Sequence, residues 1–198
     1  KHNFDFTDAY YGLAMQMITY LNVALNNAVT LVGEKAKAAG AFYMQIQNPT
    51  ITASDKLTDD KLAEEMLKTF QYEGVLMKDD QLLEVLDKTM EPGVKSLVYP
   101  YQQLKKETMK SSQFYTEDEL DWLLENKQNN FKKAGEKIFN GATELNPAFK
   151  KQRRVACEFC PFRSVCQFDV MLKENNYHKI EEVDKSCLLE EREVAEDE

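Results

Sequence analysis

The spacing of apolar side chains predicts that the chain opens with one long helix. From Thr7 to Leu31, apolar residues recur at steps of three and four positions, which places them on one face of a helix. Gly33 follows, and glycine readily adopts the left-handed conformation that ends many helices. We therefore expect a single helix over this segment that ends at Gly33.

After residue 40 the spacing changes to a period of two, which is typical of strands. Phe42, Met44 and Ile46 alternate with polar residues up to Asn48-Pro49, so a strand is expected over Gly40–Gln47. The later segments are predicted to be a helix over Asp59–Gln71 closed by Gly74, a strand over Val75–Met77, a helix over Asp80–Lys88, a strand over Val94–Tyr99, a helix over Thr116–Asn140 capped by Gly141, and an extended segment over Phe149–Arg154.

Two of these helices carry more specific signals. Thr116 and Glu119 have the spacing of a capping box, in which each side chain bonds the backbone of the other residue. The helix over Asp59–Gln71 has an apolar face that is expected to point inward, formed by Leu62, Met66, Leu67 and Phe70. Helices outnumber the scattered strands, so the predicted fold class is α/β and predominantly helical.

Composition narrows the class of protein. The 198 residues are 43% hydrophobic and 30% charged, as expected of a soluble globular protein. The net charge of −9 argues against broad, non-specific nucleic-acid binding. No apolar run approaches the roughly 20 residues that a membrane span needs. The C-terminal end is strongly acidic, and we expect it to be solvated and frayed. The chain lacks an initial Met, which suggests that it starts inside a longer protein.

Three closely spaced cysteines are the strongest chemical signal. Cys157, Cys160 and Cys166 form a C-x2-C-x5-C pattern, which is typical of metal ligation by thiolates. The pattern is compatible with zinc, with an iron–sulfur cluster, or with small buried thiols in a turn. Cys187 and His178 are conceivable fourth ligands. Four cysteines without a secretory segment favour a reducing compartment, and we expect the cytoplasm.

A polar pair on the first helix is a second candidate site. Gln16 and Tyr20 are four residues apart, so both side chains project from one helical face. Taken alone, the pair would usually be a satisfied polar group in a core helix.

A basic run precedes the cysteines. Lys150, Lys151, Arg153 and Arg154 could form a local basic patch that contacts an anionic partner, or they could belong to a solvated loop. The chain lacks the G-x-x-x-x-G-K-[ST] pattern, so ATP hydrolysis would belong to another chain or region.

Taken together, these motifs resemble one bacterial family. The Tyr-Tyr-Gly-Leu-x-x-Gln-x-x-x-Tyr-Leu segment over Tyr10–Leu21 is similar to the last nuclease motif of the AddB (RexB) subunit of the AddAB helicase–nuclease. The cysteine segment through Phe168-Asp169 resembles the iron–sulfur staple of that family, and Gly40–Pro49 resembles the strand that follows its motif helix.

The resemblance implies the C-terminal part of a RecB-like PD-(D/E)xK nuclease domain that lacks its first strands. Residues 1–148 would be nuclease domain, and residues 149–198 the cysteine segment with the acidic tail. Gln16 and Tyr20 would line a catalytic site whose Mg²⁺-binding carboxylates and Lys lie upstream. Cys157, Cys160 and Cys166 would hold a [4Fe–4S] cluster whose fourth ligand lies outside this chain.

In function, the resemblance implies part of an ATP-dependent helicase/exodeoxyribonuclease that resects DNA double-strand breaks for recombinational repair. The partners would be DNA and an AddA-type helicase–nuclease subunit in a heterodimer. In such a nuclease the basic run, Lys150, Lys151, Arg153 and Arg154, could contact the DNA backbone. The fragment itself should be inactive. Asp59-Asp60-Lys61 and Glu125-Asn126-Lys127 have nuclease-like spacing, but both fall on predicted helices and are interpreted as solvated faces.

Two alternatives remain open from the sequence. Another RecB-like nuclease, such as a CRISPR-associated one, would have its Gln/Tyr helix much closer to its cysteines than Gln16 is to Cys157 here. The other alternative is a zinc-binding interaction module that uses all four cysteines, including Cys187.

Overall fold

The computed structural model describes residues 4–48, 50–51, 58–104, 109–185 and 188. They form two compact units. Unit one consists of the residues up to Asp5 together with Ala14–Glu125, and unit two of Phe6–Leu13 together with the residues from Asn126 onward. The functional boundary expected between residues 148 and 149 stays a prediction.

Helical residues outnumber strand residues among the described residues of both units, as expected of a predominantly helical α/β fold. The helices are α1 (Phe6–Tyr10), α2 (Gln16–Asn26), α3 (Ala28–Val32), α4 (Asp59–Phe70), α5 (Asp80–Leu86), α6 (Glu117–Phe139) and α7 (Arg163–Cys166), with a 3-10 turn over Val155–Cys157. The strands are β1 (Gly40–Tyr43), β2 (Glu73–Met77), β3 (Gln102–Gln103), β4 (Met109–Lys110), β5 (Phe114–Tyr115), β6 (Ala148–Lys150), β7 (Arg153–Arg154) and β8 (His178–Ile180). No helix in the described part of the chain is both long and apolar enough to cross a membrane.

The prediction of one helix over Thr7–Leu31 is wrong, because the segment breaks twice. Gly12 takes a φ of 76° in the turn between α1 and α2, a conformation that glycine adopts without a steric penalty. Asn27 leaves helical geometry between α2 and α3. The predicted stop is confirmed, since Gly33 caps α3 in the left-handed region with a φ of 87°.

The sheet of unit one has the order β1-β2-β5. β1 pairs antiparallel with β2, and β2 pairs parallel with β5. Gly74 does not close α4 as predicted but lies within β2, opposite Phe42. A Cβ atom at Gly74 would overlap the carbonyl oxygen of Ala41, so the close approach of the two strands requires glycine there.

Several element predictions for unit one are confirmed. α4 and α5 match the expected helices, and β2 covers the expected short strand. The strand expected over Gly40–Gln47 exists but ends at Tyr43, and Pro49 lies outside the described residues. The expected inward face of α4 is wrong, since none of its side chains is buried. Among the described residues of unit one, the largest fully buried side chains are those of Ile18, Val75, Leu76, Leu83 and Leu120.

The strand expected over Val94–Tyr99 does not form, because Ser96 turns the chain. Its hydroxyl accepts hydrogen bonds from the backbone N–H groups of Val98 and Tyr99 and donates one to the Asp87 carboxylate at 2.6 Å. Thr89 also donates to Asp87 through its hydroxyl and its backbone N–H. Burial alone would raise the pKa of Asp87, but these hydrogen bonds more than offset it and lower the pKa below its ordinary value.

α6 begins at the predicted capping box. The Thr116 N–H donates to Glu119 Oε2 at 2.8 Å, and the Glu119 N–H donates to Thr116 Oγ1 at 3.2 Å. Gly141 ends the helix with a φ of 71°, as predicted. The two-way bond satisfies backbone donors that a helix start otherwise leaves unpaired.

Unit two is organised around a small sheet of order β7-β6-β8. β6 and β7 form a hairpin whose two turn residues, Lys151 and Gln152, have φ values of 48° and 62°. Two consecutive positive φ values are the geometry of a tight hairpin turn. The basic segment that was predicted to be extended is therefore a hairpin.

Side chains from α6 hold α1 within unit two. The amides of Asn126 and Asn130 both donate to the carbonyl oxygen of Tyr10. Thr7 Oγ1 donates to the carbonyl oxygen of Val183 and accepts a bond from its N–H.

Candidate functional site

The Gln16–Tyr20 pair lies at the start of α2 in unit one. The Gln16 side-chain N–H donates to the Tyr20 hydroxyl at 3.1 Å. Both side chains are exposed, Tyr20 at 66% of its full accessibility, whereas Met17 and Ile18 on the other face are buried. The pair is therefore not a satisfied polar group in the core, as the amide alone would have suggested.

The exposure of this pair leaves it available to a ligand. The second amide N–H of Gln16 and the hydroxyl proton of Tyr20 are able to donate to a phosphate oxygen or a water, and the Gln16 amide oxygen is able to accept from a water. α2 packs against β1, which fixes the helix that carries both side chains to the central sheet of unit one. The arrangement suits a residue pair that positions a substrate from a rigid element.

The two nuclease-like triplets both lie on helices, as predicted. Asp59-Asp60-Lys61 opens α4 and is exposed. In a helix, residues i and i+2 do not face each other, so neither triplet converges on a metal ion. The solvated face expected at Lys127 is wrong, because Lys127 is only 8% exposed.

The Lys127 ammonium lacks an anionic partner in the described part of the chain. It lies 5.8 Å from the centre of the Phe131 ring, and a cation over an aromatic face is attracted to it. Desolvation by burial lowers the pKa of Lys127, since the charged form loses water.

The three cysteines are free thiols in unit two. Cys157 ends the 3-10 turn, and the Cys160 N–H donates to its carbonyl oxygen at 3.4 Å. Cys166 ends α7 and is exposed. Cys187 lies outside the described residues. The ring of His178 packs edge-on against Tyr11, with 5.7 Å between the ring centres.

The described thiols do not form a metal site as they stand. No group of three His, Cys, Asp or Glu side chains among the described residues is placed to hold one metal ion. Thiolate donors suit iron or zinc, but the three described thiols do not converge on one ion.

Aromatic stacking anchors the cysteine segment to the sheet of unit two. Tyr177 stacks on Phe149 of β6 at 4.6 Å between ring centres and lies 5.1 Å from the ring of Phe168. In contrast, Phe159 and Phe162 between the cysteines are 91% and 68% exposed.

The four residues of the basic run differ in the contacts that they make. Lys150 forms a 2.6 Å ion pair with Asp8 of α1, with side-chain exposures of 12% and 29%. Lys151 pairs with Glu182 at 2.8 Å, and both of these side chains are exposed. The four residues therefore do not present one uniform cationic strip.

The last two members of the run form β7. Arg154 contributes its backbone to this strand. Arg153 is exposed and lines a cavity of about 220 Å³ together with Cys157, Glu158 and Arg163. Sequence reasoning missed Arg163, because only the folded turns bring it beside Arg153, and a lone Arg between cysteines gives no signal of its own.

Comparison with known proteins identifies the family. The family model described as "PD-(D/E)XK nuclease superfamily" matches residues 1–167. The chain belongs to this nuclease superfamily. The fold class expected from the sequence is confirmed by this match.

The curated relatives point to one kind of protein within the superfamily. The chain is 48% identical to the B subunit of the "ATP-dependent helicase/deoxyribonuclease" of Enterococcus faecalis over 94% of its own length, and 16% of that relative's. Proteins of the same name from Latilactobacillus sakei and Pediococcus pentosaceus are each 40% identical over 96% of the chain, and 17% and 16% of their own lengths. The chain thus spans about one sixth of the length of these relatives. The family resemblance that its motifs predicted is confirmed.

Proposed function

We propose that the chain is part of the nuclease subunit of an ATP-dependent helicase/exodeoxyribonuclease that resects DNA double-strand breaks for recombinational repair. The observation that carries the proposal is the 48% identity over 94% of the chain to a protein named as a helicase/deoxyribonuclease subunit. The reaction is hydrolysis of a DNA phosphodiester bond with Mg²⁺. A cytoplasmic location and an AddA-type partner subunit complete the proposal.

Gln16 and Tyr20 line the cleavage site in this proposal. Their mutual hydrogen bond fixes the amide plane, and their exposed face leaves remaining donors for a phosphate oxygen or the attacking water. The metal-binding carboxylates and the Lys belong to other parts of the subunit. The two residues therefore act by binding and orienting, which supports a reaction that depends on placing its reactants.

The test of this assignment compares the 198-residue chain with the complete subunit in complex with its partner. Cleavage of end-labelled single-stranded DNA should require the complete subunit and Mg²⁺, and should stop on chelation. The chain alone should not cleave. Mg²⁺-dependent cleavage by the chain alone, abolished by Asp60→Ala, would contradict the assignment and point to a metal site within α4.

We further propose that Cys157, Cys160 and Cys166 are three ligands of a [4Fe–4S] cluster whose fourth ligand lies outside this chain. The C-x2-C-x5-C spacing and the free thiols support this proposal. Because the fourth ligand lies outside this chain, the cluster should form only in the complete subunit.

Metal analysis of the complete subunit tests the cluster. Iron with an absorption band near roughly 400 nm is expected, as for thiolate-bound iron clusters. A colourless subunit that contains one zinc, lost in Cys187→Ala, would instead support a zinc module.

Lys151, Arg153 and Arg154 are proposed to contact DNA, together with Lys150. The ion pair with Asp8 already holds the Lys150 ammonium, so its contribution should be smaller than that of Arg153. Single-residue changes to Gln, measured by the salt dependence of DNA binding, separate these contributions.

A further inference from the structure

A small cationic cavity lies beside the first cysteine in unit two. Arg153 of β7 and Arg163 at the start of α7 both line it, and Cys157 and Glu158 complete its wall. Its volume is about 220 Å³, which admits a tetrahedral anion with some of its water. Two guanidinium groups against one carboxylate leave the cavity with one excess positive charge.

Neither guanidinium is neutralised by another part of the described chain. Arg153 and Arg163 form no ion pair or side-chain hydrogen bond with the described residues, whereas the neighbouring Lys150 and Lys151 each have a carboxylate partner. The molecule carries a net charge of −9, so acidic partners are abundant. Two unpaired guanidinium groups in one concavity are the arrangement that recognises an anion from outside the molecule.

We propose that this cavity binds one internucleotide phosphate of a DNA strand, with Arg153 and Arg163 donating to its two non-bridging oxygens. The proposal rests on the proposed function, which supplies DNA as the ligand, and it adds Arg163 to the contact residues. The planar fork of an Arg side chain matches the paired oxygens of a phosphodiester.

Replacing Glu158 should change DNA affinity in the opposite direction to replacing either Arg, which gives a second test of the proposal. Its carboxylate lines the same cavity and repels a bound phosphate. Neutralising an Arg should therefore weaken DNA binding, whereas neutralising Glu158 should strengthen it. A role for these residues only in folding would not produce opposite changes in affinity.

The experiment measures binding of a fluorescent single-stranded oligonucleotide to the 198-residue chain by anisotropy over a range of salt concentrations. Arg163→Gln should weaken binding about tenfold at low salt and reduce the slope of log K against log salt by about 0.7. Arg163→Lys should fall between wild type and Gln, since it keeps the charge but loses the fork. Glu158→Gln should tighten binding.

Lys137→Gln serves as the matched control. Lys137 is exposed on α6 and does not line the cavity, so the variant removes one positive charge elsewhere in unit two and should change affinity less than Arg163→Gln. A methylphosphonate oligonucleotide, whose linkages are uncharged, should bind wild type and Arg163→Gln equally. Circular dichroism of each variant verifies folding.

The outcomes separate this inference from the proposed function. If wild type binds DNA and Arg163→Gln binds it equally well, the inference fails and the proposed function stands. If inorganic phosphate binds in an Arg163-dependent way while DNA affinity is unchanged, the cavity is a free-anion site and the inference also fails. If wild type does not bind single-stranded DNA, the inference and the DNA contacts proposed for this chain fail together.

Discussion

Breaking the ion pair between Lys150 and Asp8 is predicted to destabilise unit two. The pair joins β6 to α1 at 2.6 Å, and the side chains are only 12% and 29% exposed. The perturbation is a double-mutant cycle with Lys150→Met, Asp8→Asn and the double variant. The cycle measures how much Lys150, which is also proposed to contact DNA, contributes to the stability of the fold.

The magnitude follows from distance and partial burial. At 2.6 Å, two unit charges attract by ~6 kcal/mol at an effective dielectric constant of about 20, and by ~1.6 kcal/mol in bulk water. Desolvation of both groups offsets much of the larger figure. We therefore expect a coupling energy of about 2 kcal/mol, within the range of hydrogen bonds to charged groups.

The assay is urea denaturation of the 198-residue chain, followed by far-UV circular dichroism. Each single variant should lower the free energy of unfolding by about 2 kcal/mol, and the double variant by little more than either. Lys151→Met is the control, because its pair with Glu182 is exposed and should contribute less than about 1 kcal/mol. Additive effects of the two single variants would refute the reasoning.

Three further predictions concern stability. The folded-state pKa of Asp87 lies below its ordinary 3.8. The stabilisation from its hydrogen bonds should therefore be complete above about pH 4 and decline as the pH falls further. In the Asp87→Asn variant, the unfolding free energy should depend less on pH in this acid range. Lys127→Met should stabilise the chain by about 1 kcal/mol at neutral pH, because it removes an unpaired charge that burial disfavours. The part of that gain that comes from removing the charge should be lost as the pH approaches 10.5, the ordinary pKa of the lysine; a gain that does not change with pH would contradict this prediction. Gly74→Ala should lower the free energy of unfolding by about 3 kcal/mol or more, because the added methyl group meets a backbone carbonyl. Gly135→Ala on α6 is the control: its methyl group meets nothing, and it should stabilise the chain by about 1 kcal/mol.

Features that depend on neighbouring residues could be predicted from the sequence. The capping box of Thr116 and Glu119 formed as expected, and Gly33 and Gly141 stop their helices. These signals are local because the bonds join residues close together in the chain. The periodic pattern likewise predicted α4, although none of its side chains is buried.

Features that go beyond the contacts of neighbouring residues could not be predicted. The apolar spacing before Gly33 carries through the turn at Gly12, so it could not reveal the break between α1 and α2. The β propensity of Val94–Tyr99 is outweighed by the bond from Ser96 to Asp87, which lies nine residues away.

For the candidate sites too, the sequence indicated residues but not their surroundings in the fold. The pattern identified the Gln16–Tyr20 pair, but its exposure depends on which face of α2 packs inward. Arg163 reaches Arg153 only through the turns between β7 and α7. Sequence spacing therefore indicated candidate residues, but it did not indicate which of them the fold brings together.

The central claim is that the exposed amide of Gln16 acts at a phosphodiester-cleaving site. Its most direct test is the rate of Mg²⁺-dependent cleavage of single-stranded DNA by the complete subunit, in complex with its partner, carrying Gln16→Ala. The matched control is Gln81→Ala, since Gln81 is also an exposed glutamine near the start of a helix in unit one. The account predicts a loss of at least about tenfold in cleavage rate for Gln16→Ala, with wild-type stability and a wild-type rate for the control. Cleavage by Gln16→Ala at the wild-type rate would contradict the claim.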